Sequence, residues 1–341
     1  MKEKIEGPVL RMMEVNLGTR PQEKVLVLTD YPDQDQWCNQ DYETLKDMAE
    51  RALLAKAVHE IISKKYRANF LAYPATGRHG AEPPDYVGKA MLEFDVIVAI
   101  TTYSISHTEA RERATTKGAR VASMPTFTAD MFMPGGPMDV DYRKVAELCE
   151  RLAKELSGSK VRVKSDNGTD LSLSIEGRRW NLDTGLLTSP GSFGNLPAGE
   201  VFIAPVEGTA EGRIVVQSGW FPNLEEDMIL EVKEGKVVDL KGGGKVGDKF
   251  RELLAIGREP NDVELNRRNI AELGVGANPN AKRPDNVLEA EKILGTVHVA
   301  IGDPSHFGGM VKADMHVDFV IPRPVLEVDE KVIRLEEITP A

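Results

Sequence analysis

Cysteine is almost missing from this chain: Cys38 and Cys149 are the only two in 341 residues. Two thiols exclude a disulfide framework and a thiolate zinc site, and they fit reduced bystanders in a cytoplasmic protein. No apolar run approaches the ~18 residues of a membrane span, and the opening stretch MKEKIEGPVLRMMEVNLG has no signal-peptide core. We therefore expect a cytoplasmic protein with no membrane partner. Basic charge is short as well, 43 Lys and Arg against 54 Asp and Glu, a net −11. That balance argues against nucleic acid as a partner and leaves carboxylates to spare for cations. Nucleotide motifs are lacking too. The turn Thr29-Asp30-Tyr31-Pro32 has none of the glycines a dinucleotide site needs beside a pyrophosphate. Gly242-Gly243-Gly244-Lys245 lacks the leading spacing and the Ser or Thr of a phosphate loop, so it reads as a flexible turn. No internal repeat or low-complexity segment is found.

What is present has two rhythms. Length favours two domains, because single cores stop growing at roughly 250–300 residues. In the first half, short apolar runs at 24–30, 69–73, 95–101 and 120–123 alternate with helical spacing at 42–65, 84–92, 108–117 and 141–157. The stripe Leu45, Met48, Ala49, Leu53, Ala57, Ile61 and Ile62 marks the longest of these helices. Such alternation predicts a parallel sheet covered by helices. After Gly158 the pattern becomes short strands separated by turns, with Asn167-Gly168 a hairpin signal and one helix near 247–256. The expectation is an α/β domain over 1–157 followed by a β-rich α+β domain over 158–341.

The chemistry concentrates in GTVHVAIGDPSHFGGMVKADMHVDFVI, residues 295–321, which holds three of the six histidines. On a strand His316 and Asp318 share a face, about 6.6 Å apart along the backbone. A neutral imidazole beside a carboxylate among Val, Phe and Ile is costly to bury without a partner, and a divalent metal is one. An isolated His-x-Asp is more often a hydrogen-bonded structural pair. His298, on a second apolar run joined by a turn-rich loop, shifts the balance towards three converging ligands. Elsewhere, Glu200 opens an apolar strand and Glu272 lies within an apolar segment; each alone also reads as a salt-bridged surface residue. His107 follows the third strand, where sheet-top ligands bind, and reads either as a helix-capping surface residue or as a proton-transfer group.

In order and approximate spacing, GEVF (199–202), ELGVGANP (272–279), GTVHVAIG (295–302) and HVD (316–318) resemble the M29 metallo-aminopeptidases, the aminopeptidase T type. The resemblance covers the C-terminal half and, weakly, the N-terminal domain. It implies a homodimer with two divalent ions, zinc, cobalt or manganese, held by Glu200, Glu272, His298, His316 and Asp318 between the domains. It also implies hydrolysis of an N-terminal peptide bond by metal-activated water. A tyrosine usual in that family, seven residues after the first histidine, is here Ser305; the His306 that follows reads either as a substitute donor or as an exposed loop residue. The same segments are similar to a divergent branch, the 2,5-dihydroxypyridine ring-cleaving dioxygenases. That likeness implies one Fe(II) on His298, His316 and Asp318, with His107 as base. Retention of both Glu200 and Glu272 ranks the peptidase first. A third reading is an inactive homologue that only binds a small molecule.

Overall fold

The computed structural model describes residues 2–338, apart from the side chains of Val287 and Glu336. The chain forms two compact units. The first comprises the chain up to Tyr142 together with Gly185–Ala198; the second comprises Arg143–Thr184 and the chain from Gly199 onward. Among the described residues no helix is long and apolar enough to cross a membrane.

The first unit runs through α1 (Lys2–Arg11), β1 (Lys24–Tyr31), α2 (Gln34–Asn39), α3 (Tyr42–Ile62), β2 (Arg67–Pro74), α4 (Asp85–Met91), β3 (Val96–Thr101), α5 (Glu109–Thr116) and β4 (Arg120–Pro125). Helix α6 (Tyr142–Glu155) leads into the second unit, with β5 (Lys160–Ser165), β6 (Asp170–Ser174) and β7 (Asn181–Asp183). The chain then contributes β8 (Phe193–Asn195) to the first unit. The result there is a five-stranded sheet of order β2-β1-β3-β4-β8, every pair parallel, as the alternating pattern predicts. Strands β3 and β4 are buried along their whole length, which is why β3, VIVAIT, reads as a continuous apolar run. Leu26, Leu28, Ile97, Ala99 and Val121 pack with Val87 and Met91 of α4 and Ala110 and Ala114 of α5.

Helix α3 forms where spacing predicts, but its buried face is rotated from the expected stripe. Leu53 is 69% exposed, and the buried residues are Met48, Arg51, Leu54, Ala55, Val58, Ile61 and Ile62. Arg51 lies within that face because its guanidinium is satisfied, donating to the Phe127 carbonyl (3.2 Å) and to Thr102 Oγ1 (2.9 Å). At the end of β1 the buried Asp30 carboxylate accepts from the Thr102 (2.6 Å) and Tyr103 (3.0 Å) amides. It thereby fixes the start of the loop that leads to His107.

The second unit continues with β9 (Glu200–Ile203), β10 (Glu211–Val216), β11 (Met228–Lys233), β12 (Lys236–Gly242), α7 (Gly244–Leu253), α8 (Asp262–Arg267) and β13 (Ile270–Gly276). The remainder is α9 (Val287–Ala290), β14 (Val297–Gly302), β15 (His316–Ile321), β16 (Pro324–Val328) and β17 (Lys331–Ile333). Two antiparallel sheets result: seven strands ordered β12-β11-β10-β6-β5-β16-β17, and five ordered β15-β14-β13-β9-β7. The β5–β6 hairpin turns at Gly168, whose φ of 99° suits only glycine. Phe319 of β15 packs on Phe250 (5.4 Å between ring centroids) and Phe221 (5.6 Å). One side of the five-stranded sheet is thus apolar core around Phe319. The other carries the polar cluster described next.

Candidate metal centre

The five-stranded sheet brings scattered residues together through its register. Residues directly opposed in an antiparallel pair project to the same side, and so do residues two apart on one strand. Glu272 stands opposite Ala300, which stands opposite Asp318; Gly274 stands opposite His298; Gly302 stands opposite His316. On the other flank Gly276 faces Glu200, and Glu200 faces Asp183. All five expected ligands therefore share one face, interleaved with Gly274, Gly276, Ala300 and Gly302. Those small residues leave room for the large polar side chains. Gly274 makes the case directly: a Cβ there would come 1.9 Å from Nε2 of His298.

His298 is fully buried, with Nε2 3.2 Å from Glu272 Oε1 and 3.4 Å from Glu200 Oε2. His316 places Nε2 3.2 Å from Glu272 Oε2 and 3.5 Å from Asp318 Oδ1. Its Nδ1 donates to the Asp303 carbonyl at 2.9 Å, the bond that orients a metal-binding imidazole and frees its other nitrogen. Asp303 is itself held, its carboxylate accepting from the Ser305 (2.6 Å) and Ala313 (3.0 Å) amides. Among the described residues two groups have ligand atoms all within 4.8 Å of one another: Glu272, His298 and Asp318, and Glu200, Glu291 and His298.

The donor set fits a divalent cation. Asp318 Oδ1 is buried without a hydrogen-bond partner, and the nearest imidazole nitrogen, His316 Nε2 at 3.5 Å, is too far for one. A buried carboxylate oxygen left that way is costly unless a cation completes it. Electrostatics agree. Burial pulls the His298 imidazolium down, but its hydrogen bond to Glu272 and the nearby Glu200 carboxylate outweigh this and lift it to about 9. His316 behaves alike, burial opposing and Asp318 and Glu272 raising it well above the usual value. Burial pushes Glu200 up, to about 7, against the pull of Lys292 and His298. Carboxylates and imidazoles crowded in this way share protons, and a cation bound among them would displace those protons.

Lys292, Glu291 and Asp183 carry no sequence signal and complete the cluster. The Lys292 ammonium is 2% exposed and lies 2.5 Å from Glu200 Oε1, 2.6 Å from Glu291 Oε1 and 3.6 Å from Asp183 Oδ2. His107 and His306 belong to neither cluster. His107 is exposed in the first unit, immediately before Thr108, whose side chain caps α5 by accepting from the Arg111 amide. The cap is thus Thr108 and not the histidine. His306 is exposed in the short turn Ser305–Phe307, and the neighbouring Phe307 packs edge-on against the His316 ring at 5.9 Å.

The family model for NicX, 2,5-dihydroxypyridine 5,6-dioxygenase, matches residues 10–336. The chain belongs to this family. It is 24% identical to the 2,5-dihydroxypyridine 5,6-dioxygenase of Pseudomonas putida, an alignment covering 82% of this chain and 84% of that protein. The solved structure of the 2,5-dihydroxypyridine dioxygenase from Pseudomonas putida KT2440 superposes with a TM-score of 0.67 at 17% identity, covering 98% and 96% of the two chains. Wild-type AmpT from Thermus thermophilus gives the same TM-score, 0.67, at 15% identity over 98% of both chains. The fold is therefore common to both relatives, and fold alone does not choose between them. Family membership does: it favours the dioxygenase reading over the aminopeptidase ranked first on the strength of Glu200 and Glu272.

Proposed function

We propose that this protein is a mononuclear Fe(II) dioxygenase that opens an electron-rich aromatic ring of the dihydroxypyridine type. The observation that carries the reading is the family match across residues 10–336. The convergence of His298, His316 and Asp318 on one sheet face supports it, since two imidazoles and a carboxylate suit non-haem ferrous iron. In this reading His298, His316 and Asp318 hold the ion, with Glu272 beside both imidazoles. When bound, ferrous iron supplies the redox chemistry that lets O2 react with the ring. In a 5,6-cleavage the bond between C5 and C6 breaks and each carbon gains one atom of O2, so no separate reductant is consumed.

The residues of the chain do the rest. Asp303 holds the His316 ring through Nδ1, so that Nε2 would be the nitrogen left to hold the ion. Gly274 leaves space for His298. A homodimer, the assembly the family likeness implies, is part of the same proposal and is read by light scattering.

The aminopeptidase remains the second reading because Glu200 and Glu272 both lie within the cluster and AmpT shares the fold. One comparison separates them. Anaerobically purified protein loaded with Fe(II) is expected to consume O2 stoichiometrically with 2,5-dihydroxypyridine and to leave leucine p-nitroanilide intact. Hydrolysis of the anilide by zinc- or cobalt-loaded protein, without O2 uptake by the ferrous form, would overturn the dioxygenase.

A further inference from the structure

The buried Lys292 has a place in the cluster that the reading above does not use. Its ammonium carries three N–H donors, and three carboxylates surround it: Glu200 and Glu291 at 2.5 and 2.6 Å, Asp183 at 3.6 Å. Glu200 and Glu291 are also two of the three residues in the second metal-ligating group, the one that shares His298 with the first. The polar face thus consists of two adjoining cation cages joined at His298. One, built from Glu272, His298, His316 and Asp318, has no lysine or arginine among these residues. The other is already filled by a cation tethered to the chain.

We propose that Lys292 is the resident cation of the second cage and that it holds this centre to a single metal ion. The inference rests on the first cage being a metal site, as the proposed function requires, and it identifies the residue that sets the number of ions. Its physical basis is charge and position together. A divalent ion entering among Asp183, Glu200 and Glu291 would meet an ammonium within bonding distance of the oxygens it needs, and the lysine backbone prevents that ammonium from leaving. An ordinary buried ion pair would share the geometry but not the consequence. Removing its lysine would cost stability and would create no metal site.

Lys292→Met removes the charge and keeps most of the side-chain volume. Wild type and variant, confirmed folded by circular dichroism, are equilibrated with excess Co(II), desalted, and analysed for metal per chain by mass spectrometry. Wild type should retain about one ion, and Lys292→Met about two, with added absorption in the cobalt d–d region. A variant that still holds one ion, or a wild type that holds two or none, overturns the proposal. Glu200→Gln in the wild-type background tests it without touching the lysine. If Glu200 is engaged by Lys292 and not by the ion, the variant keeps one cobalt per chain with affinity within about threefold of wild type. Loss of that ion would make Glu200 a ligand of the single metal and sink the two-cage picture. Oxygen uptake with 2,5-dihydroxypyridine is scored separately. One ion per wild-type chain without uptake would defeat the dioxygenase and leave the role of Lys292 standing.

Discussion

Gly274 faces His298 across the β13–β14 pair so closely that any Cβ on it would fall within 1.9 Å of the imidazole Nε2. Its backbone is not among those with positive φ, so space alone calls for glycine here. Gly274→Ala must push His298 out of line with Glu272. We expect metal-dependent activity to fall by about 100-fold, the scale of a 1 Å misplacement at a reacting centre. Steady-state kinetics with metal titration checks this, and unchanged turnover would show that His298 is not a ligand.

His316 is aimed by a backbone carbonyl, and the side chain of the same residue, Asp303, pins both ends of the following loop. Asp303→Ala should loosen that carbonyl and weaken metal binding by roughly 10–100-fold, as loss of a ligand-orienting contact does elsewhere. Competition with a chromogenic chelator measures it. The fold should survive, with the melting temperature of the metal-free protein little changed.

Metal uptake should release protons. Without an ion His298 titrates near 9, above its ordinary 6.5, because Glu272 and Glu200 outweigh burial. A ligand nitrogen must be free of its proton, so apparent affinity should climb with pH and level off near 9, by up to about tenfold per unit where one proton competes. Calorimetric titrations in buffers of different ionisation enthalpy would count the protons. For stability the sign is the reverse. A raised imidazole contributes fully below pH 6.5 and loses that contribution as pH rises towards 9. Metal-free protein should therefore lose stability over that window, while metal-loaded protein should not.

In the first unit, Asp30→Ala would leave the Thr102 and Tyr103 amides without their acceptor. We expect a loss of about 3 kcal/mol in urea unfolding, the scale of unsatisfied buried donors. Asp30→Asn keeps one acceptor oxygen and should cost less. A result within error of wild type would mean that water replaces the carboxylate.

How much of this was legible in the sequence differs between levels. Strands β1 and β3 are readable because a parallel strand buried on both faces is a short apolar run, as VLVL and VIVAIT are. The convergence of Glu200, Glu272, His298, His316 and Asp318 was reached by motif likeness, and the register supplies its physical reason. Lys292 was invisible. Its partner Glu200 lies 92 residues away, and a lysine between glutamate and isoleucine looks like any solvated helix end. The rotated face of α3 has a similar cause, since burial of Arg51 depends on the Phe127 carbonyl and the Thr102 hydroxyl, both supplied by distant loops. The ranking of peptidase over dioxygenase leaned on two retained glutamates, one of which the structure pairs with a lysine.

The chain passes from one compact unit to the other after Tyr142, returns at Gly185, and leaves again after Ala198. No single cut can therefore free an intact N-terminal half. A fragment ending at residue 142 would lack β8 and bare the outer edge of β4, a fully buried strand, as a template for aggregation. Splitting this protein into working pieces calls for grafting or circular permutation rather than truncation.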